Sequence, residues 1–330
     1  MYLCIVIINA VLPHFAPFSY RSMQIHRYKY HLVAFLTVAI WGSTFVFTKI
    51  LLQNGLSPAQ IFTLRFIIAY VLMVAGCLLT RQSFKLFADS WVDELLMVLL
   101  GITGGSVYFL SENAAMLYTT ATNTSLIVCT CPLFAMLLVA IVYRKTEHFT
   151  KTQALGSVIA CLGMAVVVLN GHFVLHLSPK GDLLAFGACL CWAFYSLLMK
   201  TAMQRYSSLF TTRKVFFYGL VTILPYYIVN PGFPSLEVIL SRDVLWNLLF
   251  LGVIASMLCY VMWNWVISKL GAVVATNWVY FNPITTILFA WWLLHEHITI
   301  WFLLGSMLII VGMILSEGKP KQEQKGTSTT

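Results

Sequence analysis

Charge is scarce in this chain. Asp, Glu, Lys and Arg together make up 9% of its 330 residues, and aspartate occurs only at positions 89, 93, 182 and 243. Soluble domains draw about a quarter of their residues from that set, so a fold that keeps its whole surface in water is excluded. Catalytic signatures are missing too: there is no H-E-x-x-H zinc helix, no G-x-S-x-G elbow and no pair of aspartates at membrane depth. The histidines gather in loops, so a membrane enzyme, the main rival class, has no visible set of acid, base and nucleophile. The second rival, a channel, lacks a selectivity-filter repeat or a ring of charge. No Walker A loop is present, which removes direct ATP drive. No C-x-x-C occurs either, and Cys77, Cys129, Cys131, Cys161, Cys189, Cys191 and Cys259 fall inside apolar stretches, where they read as small packing residues rather than metal ligands. No cofactor or metal is expected.

What the chain has is apolar length: 60% of its residues are hydrophobic and the mean hydropathy is +0.86. A helix needs roughly 20 apolar residues to cross a bilayer. Ten stretches qualify, at about 31–52, 59–79, 92–115, 120–143, 153–170, 183–203, 209–229, 244–268, 272–294 and 300–316. The fold class expected is an all-α integral membrane protein. The net charge of +9 does not point to nucleic acid, because sixteen of the twenty Lys and Arg lie on alternate loops or at the two ends. By the positive-inside rule this places both termini in the cytoplasm of a multi-pass protein of the cell (inner) membrane. Residues 1–30 read as an N-terminal extension. Their apolar run, Leu3 to Leu12, is too short to span, and Met23 opens a basic stretch leading into the first span, as a misassigned start would. The polar tail 317–330 is expected to be disordered.

Sliding the sequence on itself by 151 residues superposes Trp41 on Trp192, Lys49 on Lys200, Gly101 on Gly252, Asn113 on Asn264 and Pro132 on Pro283. At 149 residues, Glu147-His148 meets Glu296-His297, Gly156 meets Gly305 and Gly163 meets Gly312. The chain is therefore a duplication, 31–170 and 180–316. Five spans per copy is an odd number, so the second copy enters the membrane inverted, an architecture of secondary transporters. Gly101 with Gly105, and Gly156 with Gly163, make flat faces for close helix approach. Pro132 and Pro283, in the middle of the fourth and ninth spans, each remove a backbone hydrogen bond and are hinge candidates.

Trp41-Gly42-Ser43-Thr44-Phe45, Leu64-Arg65-Phe66, Pro132-Leu133-Phe134, and Glu147 and Gly163 with their copies Glu296 and Gly312 resemble the EamA family of the drug/metabolite transporter superfamily, over residues 31–316. The resemblance implies a transporter, often an exporter, that carries amino acids or other small metabolites through a cavity between two halves. Drive would come from a gradient, with a proton as the coupling ion, or transport would be facilitated diffusion.

Charges inside a bilayer cost about 2.5–3.5 kcal/mol each on insertion scales. Lys49, Arg65 and Glu112 share one depth zone and are expected to cluster, either as an ion-pair network or as receptors for a substrate's carboxylate and ammonium groups. Trp41, Tyr108, Trp192, Tyr260 and Trp263 are aromatic candidates for the cavity wall. Asn113 and Asn264 either bond substrate or tie helices together. By inversion, Lys200 and Arg213 mirror Lys49 and Arg65 and are candidates for an inner gate, with positive-inside decoration as the plainer reading. Glu112 aligns with Trp263, so the two halves are not chemically equivalent.

Overall fold

The computed structural model describes residues 20–79, 85–119, 121–142, 150–169, 178–230, 232–294 and 300–317, and these are helix and turn without a strand. The first half comprises α1 (Tyr20–Gln53), α2 (Pro58–Leu79), α3 (Trp91–Tyr118), α4 (Ala121–Val128), α5 (Cys131–Val142) and α6 (Lys151–Leu169). The second comprises α7 (Pro179–Ala202), α8 (Ser208–Val229), α9 (Leu236–Leu240), α10 (Arg242–Leu270), α11 (Ala272–Asn277), α12 (Asn282–Leu294) and α13 (Ile300–Glu317). Among the described residues six helices are long and apolar enough to cross a membrane. The outward faces of these and of the other helices carry bare apolar side chains such as Leu78, Leu162, Ile228 and Ile314, which only lipid would cover without penalty.

Local signals start several helices where the sequence supplies them. Ser57 and Gln60 form a reciprocal capping box before α2, Thr150 and Gln153 do the same before α6, and the Ser207 hydroxyl accepts from the Phe210 N–H at the head of α8. The Glu147 and Glu296 repeat signals and the tail lie outside the described residues.

Helix α1 begins at Tyr20, upstream of the first span read from about residue 31. Two expectations need correction. The fourth and ninth stretches are not single helices. A turn at Cys129–Thr130 separates α4 from α5, and a 3₁₀ segment, Trp278–Phe281, separates α11 from α12. Pro132 and Pro283 are each the second residue of the helix that follows the break, a first-turn position where the missing N–H has no partner to lose. The prolines thus open new helices instead of bending continuous ones.

Both long third spans also carry a wide turn, unforeseen from sequence. In α3 it is the π-helical segment Ile102–Ser106, where Val107 N–H reaches back to Ile102 O; in α10 it is Phe250–Leu258, where Cys259 N–H bonds Ile254 O. In the 151-residue register Ile102–Ser106 corresponds to Val253–Met257, inside the second of these segments.

The halves interleave reciprocally. The first part of α3 packs on α8 and its second part on α7, while the first part of α10 packs on α2 and its second part on α1. Glycines permit this. A Cβ at Gly101 would stand 2.5 Å from Tyr218 Cβ, and one at Gly252 would stand 2.8 Å from Ile68 Cβ. Helices α6 and α13 meet glycine to glycine, with a Cβ at Gly312 falling 2.3 Å from Ala160 N and 2.6 Å from Gly156 O.

The helix ends sort into two groups. At one end, Lys49 near the close of α1 donates to Met116 O near the close of α3 (3.0 Å), and Lys180 at the start of α7 donates to Tyr118 Oη (2.9 Å). At the opposite end, the start of α3 meets the close of α7 and the start of α8 through Asp93, Arg205 and Tyr206. We refer to these as the Lys49 end and the Glu94 end.

Candidate functional site

A cavity with an empty volume of about 450 Å³, open solvent included, lies between the halves. Helix α1 contributes Trp41, Thr44 and Phe45, α2 Arg65, α3 Tyr108, Phe109 and Glu112, α4 Val128, α7 Trp192, α10 Tyr260, and the broken ninth stretch Val279 and Asn282. Both halves therefore build it.

Its aromatic wall is a network of ring edges and faces. Trp41 meets Trp192 edge-on at 5.2 Å between ring centroids and Tyr260 at 5.8 Å, and Tyr108 leans on Trp192 at 5.1 Å. The wall is pinned to both wide turns. The Trp41 indole N–H donates to Ala255 O (2.9 Å), and the Tyr260 hydroxyl donates to Gly104 O (2.6 Å). Gly104 and Ala255 are 151 residues apart, so the two pinned carbonyls are repeat mates.

The polar groups are few and placed. Arg65 Nε donates to Ser256 Oγ across the half boundary (2.9 Å), and its guanidinium lies over the Phe109 ring at 4.4 Å. Among the described residues its two terminal nitrogens make no hydrogen bond. Glu112 accepts from Tyr108 Oη at 2.6 Å. Two buried wall atoms have no hydrogen-bond partner, the Trp192 indole N–H donor and the Asn282 Oδ1 acceptor. Buried polar atoms in native proteins are nearly always satisfied, so orphans facing one cavity mark where another molecule would bond.

Of the residues singled out from sequence, the cavity brings together Trp41, Arg65, Tyr108, Glu112, Trp192 and Tyr260. Four others stand elsewhere. Lys49 does not join Arg65 and Glu112, because its ammonium group is taken by Met116 O on the neighbouring helix. Asn113 donates to Pro58 O (3.1 Å), and Asn264 donates to Thr212 Oγ1 (2.8 Å) while accepting from Tyr195 Oη (2.7 Å). Each asparagine ties the third span of its half to the head of the second, a structural use in both copies. Trp263 sits behind the wall, wholly buried against Trp41 at 5.0 Å.

Lys200 occupies the last turn of α7, and Arg213 is buried at the Glu94 end, where it donates to Lys85 O. Sequence reasoning missed Ser256 as a partner of Arg65 and, among the described residues, the bonded charges Asp93 and Glu94 with Arg205 and Lys214. The acids could have been flagged as an adjacent pair in a chain nearly devoid of them. Just outside the spans, the hydrogen bond from Lys85 holds the Asp89 carboxyl below the usual carboxylate range.

The comparisons with known proteins come down on one family. The model of the EamA-like transporter family matches residues 28–169 and again 179–317. An uncharacterized transporter of Archaeoglobus fulgidus is 27% identical over 89% of this chain and 99% of its own length. The uncharacterized transporter YoaV of Bacillus subtilis is 25% identical over 84% of this chain and 92% of its own. A probable terminal-alkyne amino-acid exporter of Streptantibioticus cattleyicolor is 26% identical over 89% and 95%. A crystal structure superposes with a TM-score of 0.68 at 17% identity, over 87% of this chain and 96% of the other, a likeness of fold.

Proposed function

Because the chain belongs to the EamA-like transporter family, whose members are multi-pass membrane transporters of the drug/metabolite type, we propose that it exports a small zwitterion of amino-acid type by alternating access. The observation that carries the reading is the cavity's charge pattern, with Arg65 offering free guanidinium nitrogens and Glu112 a carboxylate within one aromatic enclosure. A guanidinium fork suits a carboxylate bidentately, and an anionic side chain suits an ammonium group. The Trp192 N–H and Asn282 Oδ1 supply one further donor and acceptor. The amino-acid exporter among the relatives supports both the class and the direction.

The proposal includes ten spans, five in each half, with the second half inverted in the inner membrane and both termini cytoplasmic. Two observations support it. Helix α1 closes where its counterpart α7 starts, and α3 and α8 start at the opposite end from α2 and α10. Such halves can rock about the shared cavity, exposing it to one side at a time. A proton is the coupling ion proposed.

The first test is a thermal-shift screen of purified protein in detergent against amino acids, sugars, nucleosides and cationic drugs, since a ligand held only by the folded state raises its stability. A zwitterionic amino acid should raise the melting temperature of the wild type and leave Glu112→Gln unmoved. Stabilisation by a sugar or nucleoside that persists in Glu112→Gln would reject the zwitterion reading.

The breaks at Thr130 and at Trp278–Phe281 are the proposed flexing points. Alanine at Pro132 or Pro283 restores an N–H and lets the helix extend backwards across the break, so each variant should slow transport in proteoliposomes several-fold while staying monodisperse. Wild-type rates in both would discard a mechanical role for the breaks.

A further inference from the structure

We propose that the two ends of the cavity are closed by chemically different gates, an ionic one of Glu94 and Lys214 and an apolar one built around Val244 and Leu248. The inference rests on the alternating-access reading and assigns the parts that must separate.

Glu94 stands in the first turn of α3 and Lys214 in the second turn of α8, so their contact joins one half to the other. Both side chains are buried, and the pair is further bonded: Tyr218 Oη and the Ala88 N–H donate to the Glu94 carboxylate. On the adjacent residue, Asp93 accepts from Arg205 Nη1 (2.7 Å) and Tyr206 Oη (3.0 Å), bonds that again cross the half boundary. A buried pair that loses one partner leaves an uncompensated charge. The contact therefore holds firmly while intact, and opening is feasible only if water reaches both groups as they part.

At the inverted position the chemistry is different. In the 151-residue register Asp93 and Glu94 correspond to Val244 and Leu245. The Lys49 end is joined by an apolar cluster in which Val244, Leu248 and Leu251 of α10 pack with Leu51 of α1, Leu56 of the connecting turn and Ile61 of α2. Among the described residues the polar links between halves there are neutral or exposed: Gln60 Nε2 to Gly232 O at 3.2 Å, Lys180 to Tyr118, and the part-buried bond from Tyr227 Oη to Thr63 Oγ1 at 2.9 Å, where Thr63 is the repeat mate of Lys214. An apolar contact loosens with little penalty for any single group, whereas the ionic one parts as a unit. The cavity residues Arg65 and Glu112 lie toward the apolar gate, on the parts of α2 and α3 nearest the Lys49 end.

Hydrogen exchange on the full-length purified protein tests this. Glu94→Gln should speed exchange at least tenfold in segments 85–94 and 205–214 and slow it in 54–61 and 232–248, because opening one end requires closing the other. The double exchange Glu94→Lys with Lys214→Glu should return both ends toward the wild-type pattern. Leu248→Asn, at the apolar gate, should produce the opposite pattern. Should Leu248→Asn behave reciprocally while Glu94→Gln is silent or loosens both ends, alternation stands and the ionic gate is overturned. Should neither variant show opposed changes, alternating access itself fails and the gate assignment with it.

Discussion

Alanine at Arg65 is expected to abolish ligand-induced stabilisation while the protein stays folded enough to purify. Truncating one member of a buried charge-assisted contact costs about 2–5 kcal/mol of binding, and each 1.4 kcal/mol is about tenfold in affinity. A fall of at least thirtyfold is therefore expected by titration calorimetry. Arg65→Lys separates charge from geometry. A lysine keeps the cation but loses the fork and the Nε bond to Ser256, so it should recover only part of the loss. Ser256→Ala should weaken binding less, since the guanidinium remains and only its anchor goes. If Arg65→Lys binds as well as wild type, a bidentate carboxylate contact is refuted; if Arg65→Ala fails to fold while Arg65→Lys folds and does not bind, the contact stands.

The second large effect falls on the fold. Gly312→Val forces a branched side chain into the seam between α13 and α6, where even the Cβ would overlap Ala160 N and Gly156 O. The obstructing atoms are backbone, which has no rotamer to turn away, so the helices must separate. Overpacking of this kind costs about 1–3 kcal/mol, and more where nothing yields. The expected result is a melting temperature lowered by several degrees together with loss of monodispersity. Gly187→Ala is the matched control. Its nearest neighbour is Ser111 Oγ at 4.0 Å, so it should melt with the wild type or slightly above it. Equal melting of Gly312→Val and wild type would mean that the α6 and α13 seam is not the close contact described.

Hydropathy runs made the helices legible because lipid demands length, and most boundaries fall within a few residues of those read from composition. The duplication was legible because a second copy of an uncommon residue at a fixed offset, Trp41 and Trp192 above all, has no propensity-based explanation. It also led to the right depth, since those two tryptophans touch in the cavity wall. The neighbours of each polar residue were not legible. In an apolar span every face is hydrophobic, and periodicity does not tell the face that meets lipid from the one that meets another helix. Lys49 and Glu112 share a depth yet point to different partners, and Asn113 turned to a backbone carbonyl on α2. Ser256 is an ordinary small residue in sequence, and only packing across the half boundary sets it against Arg65. The wide turns leave no composition signal, because a π segment is made of the same residues as the α-helix around it.

Those wide turns determine which residues face inward. A π turn takes one residue more than an α turn, so every side chain beyond Ser106 is rotated about the axis of α3 by roughly the 100° that one residue occupies, relative to an unbroken helix. Tyr108 and Glu112 look into the cavity with that offset included, and Tyr260 does so beyond the matching turn of α10. Removing a single residue such as Thr103 would leave the helix, its length and its lipid face nearly intact, yet swing Glu112 out of register with Arg65. Helix α3 thus carries one residue whose contribution is phase rather than chemistry.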